Sequence, residues 1–212
     1  MHVFVSDIHI RPGRTEDSYR LISWLNAVQE KASHLYILGD LFDYWYTGME
    51  SRVAAVLAAL DSQWISILPG NRDFLMTNMS GFSIDLIRDE EHQIELFSKK
   101  VLLAHGHTLT DNDRGFRALH RFGWPVLRVL DRCMPTGIKD NLARFLVKSS
   151  ASIRPPHAVI REDIAEIRGV ETVICGHLHK AFMSPGLIVL PAFFDTHQWL
   201  VWDNNGLRFE GL

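Results

Sequence analysis

Five short apolar runs in this chain each stop at a turn crowded with carboxylates, imidazoles or a side-chain amide. Val3–Ser6 leads into Asp7-Ile-His9, and Leu35–Leu38 into Gly39-Asp-Leu-Phe-Asp43. Trp64–Leu68 leads through Pro69 into Gly70-Asn-Arg-Asp73, Lys100–Ala104 into His105-Gly-His107, and Thr172–Cys175 into Gly176-His-Leu-His179. Runs of four or five apolar residues closed by such turns read as buried strands. Strands that all present polar groups just past their C-terminal ends fit the place where α/β sheets build ligand sites.

Between these runs the periodicity changes. Thr15–Ala32 places Leu21, Ile22, Leu25 and Val28 on one helical face, and Glu50–Leu60 is a second helix rich in Ala, Val and Leu. Strand, helix, strand, helix, strand is the order of a parallel α/β start. From Gln93 the pattern becomes strand-rich. Gln93–Phe97 and Lys100–Ala104 read as a hairpin turning at Ser98-Lys99, and short strands are expected at Phe182–Ser184, Leu187–Leu190 and Trp199–Trp202. The expected architecture is two packed sheets with helices outside, a four-layer αββα sandwich formed by a single domain over 1–212. Asp113–His157 interrupts it with helical spacing, cut by Pro125 and Pro135-Thr-Gly137, and mixes Phe, Trp and Leu with arginines and lysines. It reads as a helical insertion over one end of the sheets.

Composition sets outer bounds. With 212 residues, 47% of them hydrophobic and 22% charged, the chain can bury one full core. A net charge of −3 does not suggest a nucleic-acid partner. Cys133 and Cys175 match neither a zinc spacing nor a disulfide framework, which suits a reducing, cytoplasmic setting. No apolar run approaches the ~20 residues that span a bilayer. The first run lacks a cleavable-signal pattern, and its removal would take Asp7 and His9 with it, so the protein is expected to work where it is made.

The alternation of a strand puts Asp7 and His9 on one side of the backbone. Carboxylates, imidazoles and one amide oxygen suit borderline divalent ions, and the absence of thiolates argues against a structural zinc. Two such ions roughly 3.5–4 Å apart can share a water and clamp a phosphoryl group. Each motif alone has an ordinary reading as a turn, a helix cap or a surface pair. The set of five, in this order and after strands, is what points to metal.

That order resembles the calcineurin-like metallophosphoesterase superfamily over nearly the whole chain. The resemblance implies one ion on Asp7, His9, Asp40 and His179 and a second on Asp40, Asn71, His105 and His177, with Asp40 bridging. Asp40, Asn71, Arg72 and His105 then form the catalytic set. Many members carry histidine where this chain has Arg72. Arginine cannot act as a general acid at working pH but offers bidentate hydrogen bonds to phosphate oxygens. A phosphate leaving group, less basic than an alkoxide, needs a proton donor least. Arg72 therefore favours a diphosphate substrate, unless it merely pairs with Asp43 or Asp73.

Gly70-Asn-Arg-Asp-Phe74, Leu38-Gly-Asp-Leu-Phe42 and the His105-Gly-x-Thr-Leu109 pattern are similar to the UDP-2,3-diacylglucosamine pyrophosphatases of lipid A synthesis. This resemblance implies water attack on the diphosphate to give UMP and 2,3-diacylglucosamine 1-phosphate. It also implies manganese, peripheral attachment at the cytoplasmic face of the inner membrane, and substrate contacts from Asn71, Arg72, Asp113 and His177. A basic, apolar insertion suits a lipid-linked nucleotide and an anionic bilayer. Four features depart from the family pattern: His107 replaces an aspartate, Phe116 an aromatic hydroxyl, Lys148-Ser-Ser-Ala-Ser152 only faintly echoes a polar stretch, and Leu190–His197 matches loosely. Two other readings stay open: a hydrolase of another nucleotide diphosphate or phosphodiester, and a binding protein that kept the site but lost turnover. Oligomeric state is not written in the sequence.

Overall fold

The computed structural model describes residues 1–77, 79, 81–111, 119–151 and 159–211, with the side chains of 148–151 left aside. In chain order the elements begin β1 His2–Val5, α1 Thr15–Gln29, β2 His34–Leu38, a 3-10 turn Glu50–Arg52, α2 Ala54–Leu60, β3 Ile65–Leu68 and β4 Asp85–Leu86. The hairpin β5 Glu91–Leu96 and β6 Lys99–Ala104 follows, then β7 Thr110–Asp111. A π-helical turn Leu119–Gly123 leads into α3 Trp124–Cys133 and α4 Thr136–Ala151. The chain ends with β8 Val159–Ile160, α5 Ile164–Arg168, β9 Thr172–Cys175, β10 Phe182–Ser184, β11 Leu187–Val189, α6 Phe193–Thr196, β12 Gln198–Asp203 and β13 Gly206–Gly211.

The strands build a six-stranded sheet in the order β13-β12-β1-β2-β3-β4 and a five-stranded sheet in the order β10-β11-β9-β6-β5. Strands β1 to β4 are mutually parallel, as are β6, β9 and β11. Alternation along the strands sorts side chains into three cores. Val3 and Val5 face α1 and α2, while Phe4 between them faces the other sheet. Ile37 and Leu38 split in the same way. Leu103 and Ile174 point into the layer between the sheets, whereas Leu102, Ala104 and Val173 point outward to Ile164 and Ala165 of α5. A period-2 pattern that is apolar on both sides can satisfy itself only when both faces of a sheet are covered. The result is the expected αββα order of layers.

The sequence boundaries shift in instructive ways. The first helix stops at Gln29 rather than Ala32, and the second begins with a 3-10 turn before Ala54. The hairpin turns at Phe97-Ser98, both at positive φ, one residue earlier than expected. The short elements β4, β7, β8, α5, α6 and the final strand β13 carry too few residues, or too mixed a pattern, for periodicity to mark them. The helical segment does lie between β7 and β8, which pair antiparallel through Thr110–Ile160 and Asp111–Val159. Of the expected insertion, Asp113, Phe116 and His157 lie outside the described residues.

Helices α3 and α4 are docked by polar contacts. Asp140 accepts hydrogen bonds from Tyr44 Oη (3.0 Å), Arg52 Nη1 (2.6 Å) and Arg144 Nε (3.0 Å). Asp131 accepts from the Thr47 backbone N–H (3.0 Å) and Thr47 Oγ1 (2.7 Å), and Lys139 Nζ donates to the Thr47 carbonyl at 3.0 Å. Phe74 stacks on Trp124 with ring centroids 4.1 Å apart. Among the described residues no helix is long and apolar enough to cross a membrane.

Candidate metal centre

The turns after β1, β2, β3, β6 and β9 converge at one edge of the sandwich. Asp7, Asp40 and His105 are buried there, and His9 and His179 are partly exposed. Asp7, His9, Asp40, His177 and His179 all sit at positive φ, between 51° and 70°. Non-glycine residues adopt this left-handed conformation at a cost of about 1–3 kcal/mol each, and such strain gathers at functional sites. The glycines of the motifs answer a different need. A Cβ on Gly39 would collide with the His105 imidazole, and one on Gly176 with Ser6 and Asp7.

Two clusters of donor atoms result. His179 Nε2 lies 3.0 Å and His9 Nε2 3.7 Å from Asp7 Oδ1, and the two imidazole nitrogens are 3.2 Å apart. Asp7 Oδ1 is buried and makes no hydrogen bond of good geometry, while Oδ2 accepts from Ser6 Oγ (2.7 Å) and the His177 backbone N–H (2.9 Å). One oxygen is thus held by the protein and the other is aimed at the two imidazoles. In the second cluster, His105 Nδ1 donates to the Leu38 carbonyl at 2.9 Å, which leaves Nε2 with its lone pair. That nitrogen faces Asn71 Oδ1 at 3.0 Å and Asp40 Oδ1 at 3.6 Å. Lone pairs pointed at one another across such distances repel unless a cation lies between them. The donor set and its orientation fit divalent metal.

Charge in the site follows burial. Burial works against the Asp7 carboxylate, but the neighbouring imidazoles, His179 foremost and then His105 and His9, hold its pKa well below the usual range. Burial, then His105, brings His177 down to about 4, so its imidazole is neutral, the form that metal ligation requires. Asp73 is pushed up to about 6 by burial and by Asp40. It accepts hydrogen bonds from the Gly70 N–H (2.6 Å) and the Phe42 N–H (3.1 Å), joining the turn that carries Asn71 to the turn that carries Asp40.

The two donor clusters bring together Asp7, His9 and His179, and Asp7, Asp40 and His105. Asn71 reaches the second through His105, and the His177 ring lies 5.1 Å from the His105 ring. Arg72 points its guanidinium at Asp43 Oδ1 (3.2 Å) and Asp40 Oδ2 (3.6 Å), and its backbone N–H donates to Asp40 Oδ1 at 2.9 Å. Asp43 is one of the two carboxylates that the sequence left open as a partner for Arg72, and the structure makes that pair. It also stands 3.5 Å from His9 Nδ1, a carboxylate behind an imidazole ligand. Its signal was its place as the second acid of Gly39-Asp-Leu-Phe-Asp43.

Comparison with known proteins agrees with this geometry. The calcineurin-like phosphoesterase profile matches residues 3–181, which contain all five turns. The chain belongs to the calcineurin-like phosphoesterases. Curated relatives include a UDP-2,3-diacylglucosamine hydrolase of Photorhabdus laumondii, 28% identical over 85% of this chain and 82% of that one. A protein of the same name from Pseudomonas paraeruginosa is 30% identical over 97% of this chain and 96% of that one. Among solved structures, an archaeal phosphodiesterase shares the fold at a TM-score of 0.52 with 13% identity, covering 100% of this chain and 99% of that one. As a calcineurin-like phosphoesterase the chain is a metal-dependent hydrolase.

Beside the metal centre lies an apolar cavity of about 190 Å³. Asn71 and Arg72 form part of its wall, with Phe74, Trp124, Leu127 and Leu142 among the apolar residues around it. It runs between the metal-bearing turns and helices α3 and α4.

Proposed function

We propose that this protein hydrolyses the diphosphate of UDP-2,3-diacylglucosamine to UMP and 2,3-diacylglucosamine 1-phosphate. The observation that carries the reading is the junction at Asn71 and Arg72, where a phosphate-binding arginine and a metal-binding amide share a wall with an apolar cavity. A substrate with an anionic diphosphate next to acyl chains needs those two environments side by side. The names of the curated relatives support the same substrate.

In this reading Asp7, His9, Asp40 and His179 hold one divalent ion, and Asp40, Asn71, His105 and His177 hold the other, with manganese the expected metal. Bound metal supplies a water activated as nucleophile and neutralises phosphoryl charge. The chain's own groups do the rest. Asp40 ties the two halves of the site together, and Asp73 fixes the distance between their turns. Arg72 donates to the phosphate oxygens and exchanges Asp43 for substrate as it does so. His177 and Asn71 border the bound phosphate, while Asp113, the remaining expected contact, lies outside the described residues. The leaving phosphate needs no proton from Arg72.

Helices α3 and α4 form the lid of the site in this proposal, continuous with the single domain of 1–212. Val126, Val129, Ile138 and Phe145 are exposed on them and Phe122 on the π-helical turn before α3, with Arg121, Arg128, Arg132 and Arg144 exposed on the same elements. Apolar side chains interspersed with arginines suit peripheral contact with an anionic bilayer on the cytoplasmic side.

A second reading is favoured by the size of the cavity. Drug-sized ligands occupy pockets of ~300–1,000 Å³, so a space of about 190 Å³ suits a smaller apolar group. That reading is hydrolysis of another nucleotide diphosphate. Purified enzyme with Mn²⁺ separates the two. Release of UMP from UDP-2,3-diacylglucosamine, faster in kcat/KM than from soluble nucleotide sugars, supports the first. Turnover of soluble diphosphates without UMP release from the lipid sinks it.

A further inference from the structure

A third group of metal-type donors lies outside the two clusters already described. Glu90, His107 and His120 each offer one ligand atom, and these atoms all lie within 4.8 Å of one another. The three residues come from separate parts of the fold. Glu90 immediately precedes β5, His107 follows β6, and His120 lies on the π-helical turn that leads into α3. Their side chains are already drawn together: His120 Nε2 is 2.7 Å from Glu90 Oε1, and the His107 and His120 rings are 5.7 Å apart.

We propose that Glu90, His107 and His120 form a third divalent-cation site, of the kind that takes zinc or cobalt. Two imidazoles and one carboxylate are a donor set that holds Zn²⁺ with a fourth position left to water. Such a site requires one firm anchor and some freedom to contract, since zinc–ligand bonds are ~2.0–2.2 Å. His107 is the anchor, buried at 2% exposure. Glu90 and His120, at 39% and 31% side-chain exposure, reach solvent and can close on the ion. Among the described residues Glu90 has its one ion pair with His120, so no lysine or arginine competes there for its charge.

The position gives the site a purpose. The His107 ring is 5.5 Å from the His105 ring and 6.3 Å from that of His177, so a third ion would sit one imidazole away from the dinuclear centre. His120 is also packed edge-on against Trp124, 4.3 Å between centroids, and Trp124 carries the stack with Phe74 on the cavity wall. A cation held by Glu90, His107 and His120 would clasp the π-helical turn to the second sheet and thereby fix the cavity wall relative to the metal centre. π-helical turns recur at functional sites, and this one places its histidine where the other two donors meet.

The test uses the full chain stripped of metal and titrated with Co²⁺ alone. Wild type takes up one equivalent more than either Glu90→Gln or His120→Ala, and the lost equivalent carries the intense visible absorption of four-coordinate cobalt. A crystal grown with Co²⁺ shows an anomalous peak within bonding distance of all three side chains. Glu90→Gln changes a partly exposed side chain at nearly constant shape, so it guards against misreading a folding defect. Asp40→Ala is the internal control: it removes metal from the dinuclear centre and leaves the Glu90 equivalent in place, which keeps failure of the two readings apart. Equal Co²⁺ uptake by wild type and both variants, or no anomalous peak at Glu90, overturns the proposal.

Discussion

Arg72 Nη1 donates to Asp43 Oδ1 at 3.2 Å, across the turn from the buried carboxylate of Asp40. In the proposed reading this pair is exchanged for substrate phosphate, which the partial exposure of both Arg72 and Asp43 allows. Arg72→Ala therefore lowers kcat/KM by about 10–100-fold, the loss of ~1.5–3 kcal/mol from hydrogen bonds to a charged group. Metal content measured on the same sample stays near that of the wild type. Parallel loss of metal would show that Arg72 builds the metal site instead of contacting substrate.

Asp40 is expected to behave in the opposite way. Its carboxylate faces His105 and orders the Arg72 backbone, it shares one donor cluster with Asp7 and His105, and the proposed reading makes it the bridge between the two ions. Asp40→Ala loses metal and reduces turnover by more than the ~10–100-fold typical of residues behind the ligands. Elemental analysis and turnover, measured together, check this.

The cavity can be tested by filling it. Ala143 lies on its wall and packs against the core beneath α1 and α2. Ala143→Phe lowers kcat/KM for the diacyl substrate by about tenfold, which corresponds to ~1.4 kcal/mol of lost transition-state binding. Hydrolysis of a small soluble phosphodiester is unchanged. Equal loss on both substrates would separate the cavity from acyl recognition.

The buried imidazole of His177 makes a prediction about pH. Its pKa falls from 6.5 unfolded to about 4 folded, so between those values the unfolded chain binds more protons. Stability then rises with pH across that window, and acid works against the fold. Asp73, raised to about 6, acts in the other direction and partly offsets this. In metal-stripped protein, His177→Asn loses less melting temperature than wild type as pH falls from 6.5 to about 4. An unchanged slope would show that His177 does not titrate as its burial implies.

The helical segment has its own marker. Asp140 gathers Tyr44, Arg52 and Arg144, so Asp140→Asn weakens the docking of α4 by about 1–3 kcal/mol. Hydrogen exchange should speed up in α4 while β1 and β2 stay protected.

What could be read from the sequence follows the physics of each signal. The strand–turn motifs were legible because buried parallel strands need long apolar runs and metal needs specific side chains at the strand ends. All five of those strands stand where the sequence put them, within one residue at either end. β4, β7 and α5 are short as well but lack a continuous apolar run closed by a motif turn, and so left no pattern. Site residues on the motifs were legible; those acting across space were not. The pairing of Asp43 with Arg72 stood open in the sequence, but its place behind His9 and the link that Asp73 makes between two turns arise only when separate turns meet, and Glu90 and His120 carry no motif that would join them to His107.

The pairing of β7 with β8 has an evolutionary corollary. Because Thr110–Asp111 and Val159–Ile160 lie side by side, everything between them leaves and rejoins the sandwich at nearly the same place. Such a graft point lets a segment change in length or charge with both of its ends held together by the β7–β8 pair. Ancestral chains could thus have changed what they grip while inheriting unaltered the turns that do the chemistry.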